Sequence, residues 1–152
     1  MTSNDTSAFA WTDAYLLGYA PMDHVHHEFV TLLDAVLRAA DHELAQCLDA
    51  FASHTEAHFA NENRWMAETD FPGRECHINE HEAVLKSVRE VQALVAAGNY
   101  AIGRDLAQHL AEWFPPHTDH LDSALSHWLC KRSLGGKPVV LRRNVLPAAT
   151  GD

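Results

Sequence analysis

Two pairs of side chains, His58/Glu62 and His77/His81, carry the first sign of chemistry. The members of each pair are four residues apart. On a helix that spacing puts both side chains on one face, a turn from each other. Phe71-Pro72-Gly73 lies between the pairs, and Pro and Gly mark a turn there. The simplest arrangement is an antiparallel pair of helices offering four metal-type side chains to one seam. Twelve histidines in 152 residues strengthen that reading, because neutral imidazole is the commonest metal ligand.

Two further stretches supply matching groups. His26 falls on the helical face of Phe29, Val30, Leu33 and Leu37. His117 and Asp122 are five residues apart, a step that an ideal helix does not place on one face. Pro115-Pro116 is expected to kink or widen that helix just before His117, since each proline removes an N–H and crowds the preceding turn. Asp119 and His120 compete with Asp122 for the pairing. The set is then five imidazoles (His26, His58, His77, His81, His117) and two carboxylates (Glu62, Asp122). Seven donors exceed the needs of one octahedral ion, so two ions are the natural count, with the carboxylates free to bridge. Mixed imidazole and carboxylate ligation suits iron or manganese, and zinc can also use it. The lack of thiolates removes the pull toward closed structural zinc. His54, one turn before His58, is a further candidate to support the ligands from outside.

Four amphipathic stretches must position these groups. Asp23 reads as an N-cap and opens a helix over about residues 23–40. Asp41 reads as the cap of a second, in which Leu44, Phe51, His58 and Trp65 recur every seven residues to about Glu68. A third runs from about 76 to 97 and ends at Gly98-Asn99, a left-handed C-terminal signal. A fourth, interrupted by the prolines, runs from about 100 to 133. Short connections between such helices imply an all-α, antiparallel up-down-up-down four-helix bundle. Residues 1–22 form an aromatic N-terminal arm lying across the bundle of 23–133. Residues 134–152 form a short basic tail that docks on the bundle or pairs with a second copy.

Composition narrows the function classes. Apolar residues make up 47% of the chain, enough for a core. No apolar run is long enough to span a membrane, and the polar, acidic start is unlike a signal peptide, so the cytoplasm is the expected compartment. Cys47, Cys76 and Cys130 are odd in number and lack CxxC spacing, against a disulfide framework. Cys76 precedes His77, but a reduced bystander is the simpler account. Net charge is −10, an acidic body that opposes nucleic acid.

With these residues in hand, the chain resembles the hemerythrins, most closely their bacterial single-domain form. Trp11, Gly18, Asp23 and His26 are similar to the family's opening. His58-Phe59 through Glu62 to Met66, Phe71-Pro72 followed by His77 and His81, and Trp113 followed by His117 and Asp122 match its later motifs. The resemblance covers about residues 11–130. It implies one iron on His77, His81 and His117, a second on His26 and His58, and Glu62 and Asp122 bridging both with an oxo or hydroxo group. It also implies dioxygen as the partner, bound reversibly end-on at the second iron. Two electrons and the bridging proton move to it, which leaves the formal charge of the buried centre unchanged. Moving buried charge is expensive, so that balance favours reversibility. The dioxygen pocket would include Trp113, Phe114 and Thr118. Thr118, Phe114, Asn63 and Pro115-Pro116 depart from the family's usual residues. Thr118 either faces the pocket and speeds loss of the oxygenated form, or bonds back to the helix carbonyl four residues earlier. The implied role is oxygen storage, delivery or sensing by a monomer, with a tail-mediated dimer as the alternative. A redox enzyme acting on peroxide or nitric oxide, or a ferroxidase, is the rival reading. A sensory module whose tail reports iron state to a partner comes third.

Overall fold

A computed structural model describes residues 9–133. The expectations for the tail, 134–152, and for residues 1–8 of the arm lie outside the described residues. The chain forms α1 (Ala20–Arg38), α2 (Asp41–Glu68), α3 (Arg74–Ala96) and α4 (Tyr100–His117). A π-helical turn (Thr118–Asp122) then leads into α5 (Ser123–Ser133), so α4, the turn and α5 make one long fourth rod. Each of α1 and α3 packs against both α2 and the fourth rod. This is the up-down-up-down four-helix bundle that the apolar periods require.

Helix ends follow local chemistry, with two corrections to the expected caps. Asp23 does not cap α1. The helix begins at Ala20 with Pro21 in its first turn, where proline's fixed φ suits a helix and its missing N–H costs nothing. The Asp23 carboxylate instead reaches back, accepting from Leu17 N at 2.8 Å and Gly18 N at 3.0 Å. It thereby fastens the arm to α1. Asp41 is likewise the first residue of α2 rather than its cap; Ala40 holds that place, and its N–H donates to Glu43 Oε1 at 3.2 Å. Gly98 ends α3 as expected. At φ +98°, it lets Asn99 N reach Leu94 O and Gly98 N reach Val95 O, both at 2.9 Å. Asn99 Oδ1 then caps α4 by accepting from Ile102 N.

The apolar interior is split into two blocks. One contains Phe29, Leu33, Leu48, Phe51, Phe59, Val84, Val88, Leu110 and Phe114. The other contains Met22, Met66, Phe71, Leu125 and Leu129. On α1, His26 lies between Met22 and Phe29. On α2, Glu62 lies between Phe59 and Met66; on α3, His77 and His81 lie between Phe71 and Val84; on the fourth rod, His117 and Asp122 lie between Phe114 and Leu125. A polar layer therefore crosses the bundle between apolar plugs. Phe9, Trp11 and Tyr15 of the arm pack on the first block, and Tyr15 meets Phe114 edge-on at 5.2 Å.

Candidate metal centre

All seven residues selected from the sequence meet in that layer. His26, His58, Glu62, His77, His81, His117 and Asp122 are each no more than 4% exposed. The π-helical turn is what joins the last two. Ser123 N–H bonds to Thr118 O, five residues back, and a five-residue repeat lets His117 and Asp122 face the same way. The widening falls just after His117, not just before it as expected. Pro115 and Pro116 stay within α4, and the register changes only in the next turn. Asp119 and His120, the competing choices, are exposed.

The carboxylates split their oxygens between two groups of imidazoles. Glu62 Oε2 lies 3.2 Å from His26 Nε2 and 2.8 Å from His58 Nε2. Its Oε1 lies 3.2 Å from His81 Nε2 and 3.6 Å from His77 Nε2. Asp122 Oδ2 lies 3.2 Å from His26 Nε2, while Oδ1 lies 2.9 Å from His77 Nε2 and 3.2 Å from His117 Nε2. Ligand-type atoms of Glu62, His77, His81, His117 and Asp122 all fall within 4.8 Å of one another; so do those of His26, His58 and Glu62.

The donor set fits cations. Nε2 of His77, His81 and His117, Glu62 Oε1 and Asp122 Oδ1 are buried with no hydrogen-bond partner among the described residues. Leaving so many buried polar atoms unpaired is costly, whereas a positive ion lodged among them satisfies lone pairs on every side. The proton affinities point the same way. Burial by itself would lower the His26 pKa, but the Asp122 charge and the hydrogen bonds to Asp122 and Glu62 outweigh it and push it up to about 10. His117 is raised by Asp122 and Glu80, again against burial. Burial and the Asp122 charge would raise the Glu62 pKa, yet the His58 charge and the bonds from His26 and His58 hold it well below the usual range. Asp122 is held low against burial by His26 and His117. The layer attracts positive charge.

Aromatic rings close the layer off. Phe29 stacks on Phe114 at 5.0 Å, and both meet the two-imidazole group edge-on, Phe29 at His58 and Phe114 at His26. Phe59 stacks on His81 at 3.9 Å and Trp113 on His117 at 4.2 Å. Trp113 Nε1 donates to Glu80 Oε1 at 3.1 Å, so the indole is a fixed wall. Thr118 is fully buried and its hydroxyl has no partner among the described residues; it does not bond back to the helix. His54 touches the His58 ring at 5.6 Å and faces Glu28 Oε1 at 3.8 Å. It lines a cavity of about 270 Å³ with His27, Glu28, Thr31 and Leu32, and none of the seven residues lines that cavity. Burial, then the charge of His58, lowers the His54 pKa.

Sequence reasoning missed Glu80, which accepts from both His117 Nδ1 and Trp113 Nε1. It also saw Asn63 only as a departure, where its Oδ1 accepts from His81 Nδ1 at 2.8 Å. One signal was present for Glu80: a tryptophan facing a core needs an acceptor for its N–H.

Fold and layer together define a four-helix-bundle cation-binding protein. Comparison with known families agrees: the hemerythrin HHE cation binding domain matches residues 17–129. A bacteriohemerythrin of Ralstonia nicotianae is 47% identical over 122 residues, covering 80% of this chain and 89% of the relative. A hemerythrin of Sipunculus nudus is 26% identical, covering 67% of this chain and 84% of its own. Myohemerythrin of Riftia pachyptila is 24% identical, covering 76% and 89%. The chain belongs to the hemerythrin family.

Proposed function

We propose that this chain is a non-haem di-iron protein that binds dioxygen reversibly, for storage, delivery or sensing. The observation that carries the reading is the divided carboxylates. Each of Glu62 and Asp122 turns one oxygen toward His26 and the other toward His77, the disposition of a bridge between two ions. In this reading His77, His81 and His117 hold one iron, and His26 and His58 hold the other. Glu62 and Asp122 would offer one oxygen to each iron, and a solvent-derived oxo or hydroxo group would complete the pair. When bound, the iron pair supplies the two electrons that dioxygen takes up.

The protein's own part is positioning and exclusion of water. His26 and His58 would give their iron one imidazole fewer than His77, His81 and His117 give the other, so a diatomic ligand would be taken on the His26/His58 side. Phe29 and Phe114 flank His26 and His58 and keep that side apolar. Phe114, Trp113 and Thr118 are the pocket residues in this reading. Five neutral imidazoles against two carboxylates limit the negative charge on the irons, and that favours holding oxygen over activating it. No helix among the described residues is long and apolar enough to cross a membrane. Cys47, Cys76 and Cys130 are free thiols, in keeping with a reducing, cytoplasmic setting. One chain supplies every donor, which supports the monomer as a working unit, with a tail-mediated dimer as the alternative.

The test is direct. Ferrous iron is loaded without air, oxygen is admitted, the visible spectrum is recorded, and the sample is flushed with inert gas. Bands that appear with oxygen and bleach on flushing support the reading. Saturation at one iron per chain or fewer, or bands that never bleach, overturns it.

A further inference from the structure

The five imidazoles differ at the ring nitrogen turned away from the carboxylates. His117 Nδ1–H donates to a carboxylate oxygen of Glu80. His81 Nδ1–H donates to Asn63 Oδ1, a neutral amide oxygen. Nδ1 of His26, His58 and His77 is buried with no hydrogen-bond partner among the described residues. The three-imidazole group thus holds a charged acceptor and a neutral one, and the two-imidazole group holds neither.

This difference has an electronic consequence. A carboxylate only accepts hydrogen bonds, so Glu80 fixes the His117 proton on Nδ1 and frees the Nε2 lone pair. An acceptor behind a histidine makes the imidazole a stronger donor through its other nitrogen, and a charged acceptor does so more than a neutral one. His117 Nε2 lies 3.2 Å from Asp122 Oδ1, so the added basicity is directed into the seam. Glu80 is held for this task. The same oxygen accepts from Trp113 Nε1, and the Trp113 ring stacks on His117. Two donors and a stacked ring lock carboxylate and imidazole into one unit. The Glu80 side chain is 38% exposed, so water screens part of its charge and the effect is moderate.

We propose that Glu80 is a positioning residue whose carboxylate, acting through His117, makes the three-imidazole position the more electron-rich of the two metal positions, with Asn63 doing the same more weakly through His81. The inference rests on the two-iron reading. Its consequence is a built-in asymmetry: the position with spare room for a ligand is the one whose imidazoles all lack such support, whereas of the other three only His77 does.

The experiment compares iron-loaded wild type with Glu80→Gln, Glu80→Ala and Asn63→Asp. Iron per chain, competition with a chelator and the midpoint potential of the iron pair are measured, with circular dichroism as a check on folding. Gln keeps an acceptor oxygen and removes the charge; Asp adds charge where the amide has none. Glu80→Gln is expected to hold two irons with about tenfold weaker affinity, the low end of such outer-partner effects, and at a raised potential. Asn63→Asp is expected to lower the potential. A folded Glu80→Gln that keeps wild-type affinity and potential overturns the inference, even if Glu80→Ala loses both, because the hydrogen bond alone would then suffice. An unchanged or raised potential in Asn63→Asp also overturns it. Wild type that fails to hold two irons overturns the two-iron reading itself, and this inference with it.

Discussion

Glu62 and Asp122 face the same two imidazoles in the same manner, one oxygen toward His26 and the other toward His77, although they come from different helices. The four separations run from 2.9 to 3.6 Å. Two carboxylates so disposed span the layer twice, and neither can replace the other's second oxygen. Glu62→Ala and Asp122→Ala are each expected to reduce bound iron from two per chain to one or none and to abolish the visible bands. Elemental analysis and absorption check this. The iron-dependent part of stability should go too, about 4 kcal/mol where free iron is a thousandfold above its dissociation constant. His42 and His127 are exposed, and alanine at either should leave the spectrum unaltered. If those changes abolish it, the ligand set is wrong.

In the metal-free protein, protons stand in for the cations, and this fixes a dependence on pH. The His26 pKa is raised from 6.5 to about 10, and His117 is raised as well. A raised pKa stabilises the fold fully below the unfolded value and loses that contribution as pH climbs through the folded one. The lowered carboxylates Glu62 and Asp122 act at the other end, losing their contribution only in acid. His54 and His81 are lowered, chiefly by burial, and above the unfolded value they are neutral in both states. The loss that opens at about 6.5 and runs to about 10 is therefore carried by His26, with His117 adding in the same direction and buried Cys130, raised from 9.0, adding only above pH 9. The urea midpoint of metal-free protein should fall steadily across that interval. Iron-loaded protein should not follow, because a metal takes imidazole in its neutral form. A level midpoint for the metal-free protein would count against the account.

The seam was legible because helical spacing is a strong code. His58/Glu62 and His77/His81 needed only the four-residue rule, and His26 needed only its apolar neighbours. The prolines announced an irregularity near His117, but not on which side of it the extra residue falls. That choice depends on two side chains having to face one seam. The Asp23 cap was misjudged because an acid before a periodic run serves equally well to tie down the preceding turn. Glu80 and Asn63 were invisible as partners of His117 and His81. Glu80 shares α3 with His77 and His81 but serves His117 of α4. Its role depends on the rotation of two helices against each other, which no spacing within one helix encodes.

Thr118 is buried and its hydroxyl is unpaired among the described residues, so it carries a penalty of about 1–3 kcal/mol. The next turn's carbonyls do not claim it. A hydroxyl left free beside the layer is available to water or to a polar ligand. Thr118→Val removes the hydroxyl and keeps the branched shape. The variant should be about 1 kcal/mol more stable, and its oxygenated form should decay several times more slowly. Denaturation and the time course of bleaching in air check the two halves separately. Equal decay rates in variant and wild type would show that the hydroxyl takes no part in losing the oxygenated form.

Gly103 sets how closely α4 approaches its neighbours, and here two ordinary rules oppose each other. Alanine in place of glycine within a helix gains up to about 1 kcal/mol. A Cβ at 103, however, would lie 2.7 Å from Val95 Cγ2 and 3.1 Å from Leu44 Cδ2. Both neighbours are buried, and a helical valine has one strongly preferred rotamer, so Val95 cannot swing aside. Overpacking of this kind costs about 1–3 kcal/mol, and it exceeds the gain. Gly103→Ala is expected to be about 1 kcal/mol less stable than wild type by urea denaturation. Iron content should stay at two per chain, because Gly103 lies several turns from His117 and the strain falls on Val95 and Leu44, neither of which touches the layer. A variant more stable than wild type would show that α3 and α4 have slack at this crossing, and that the depth of His117 in the seam is set by its own contacts with Trp113 and Glu80.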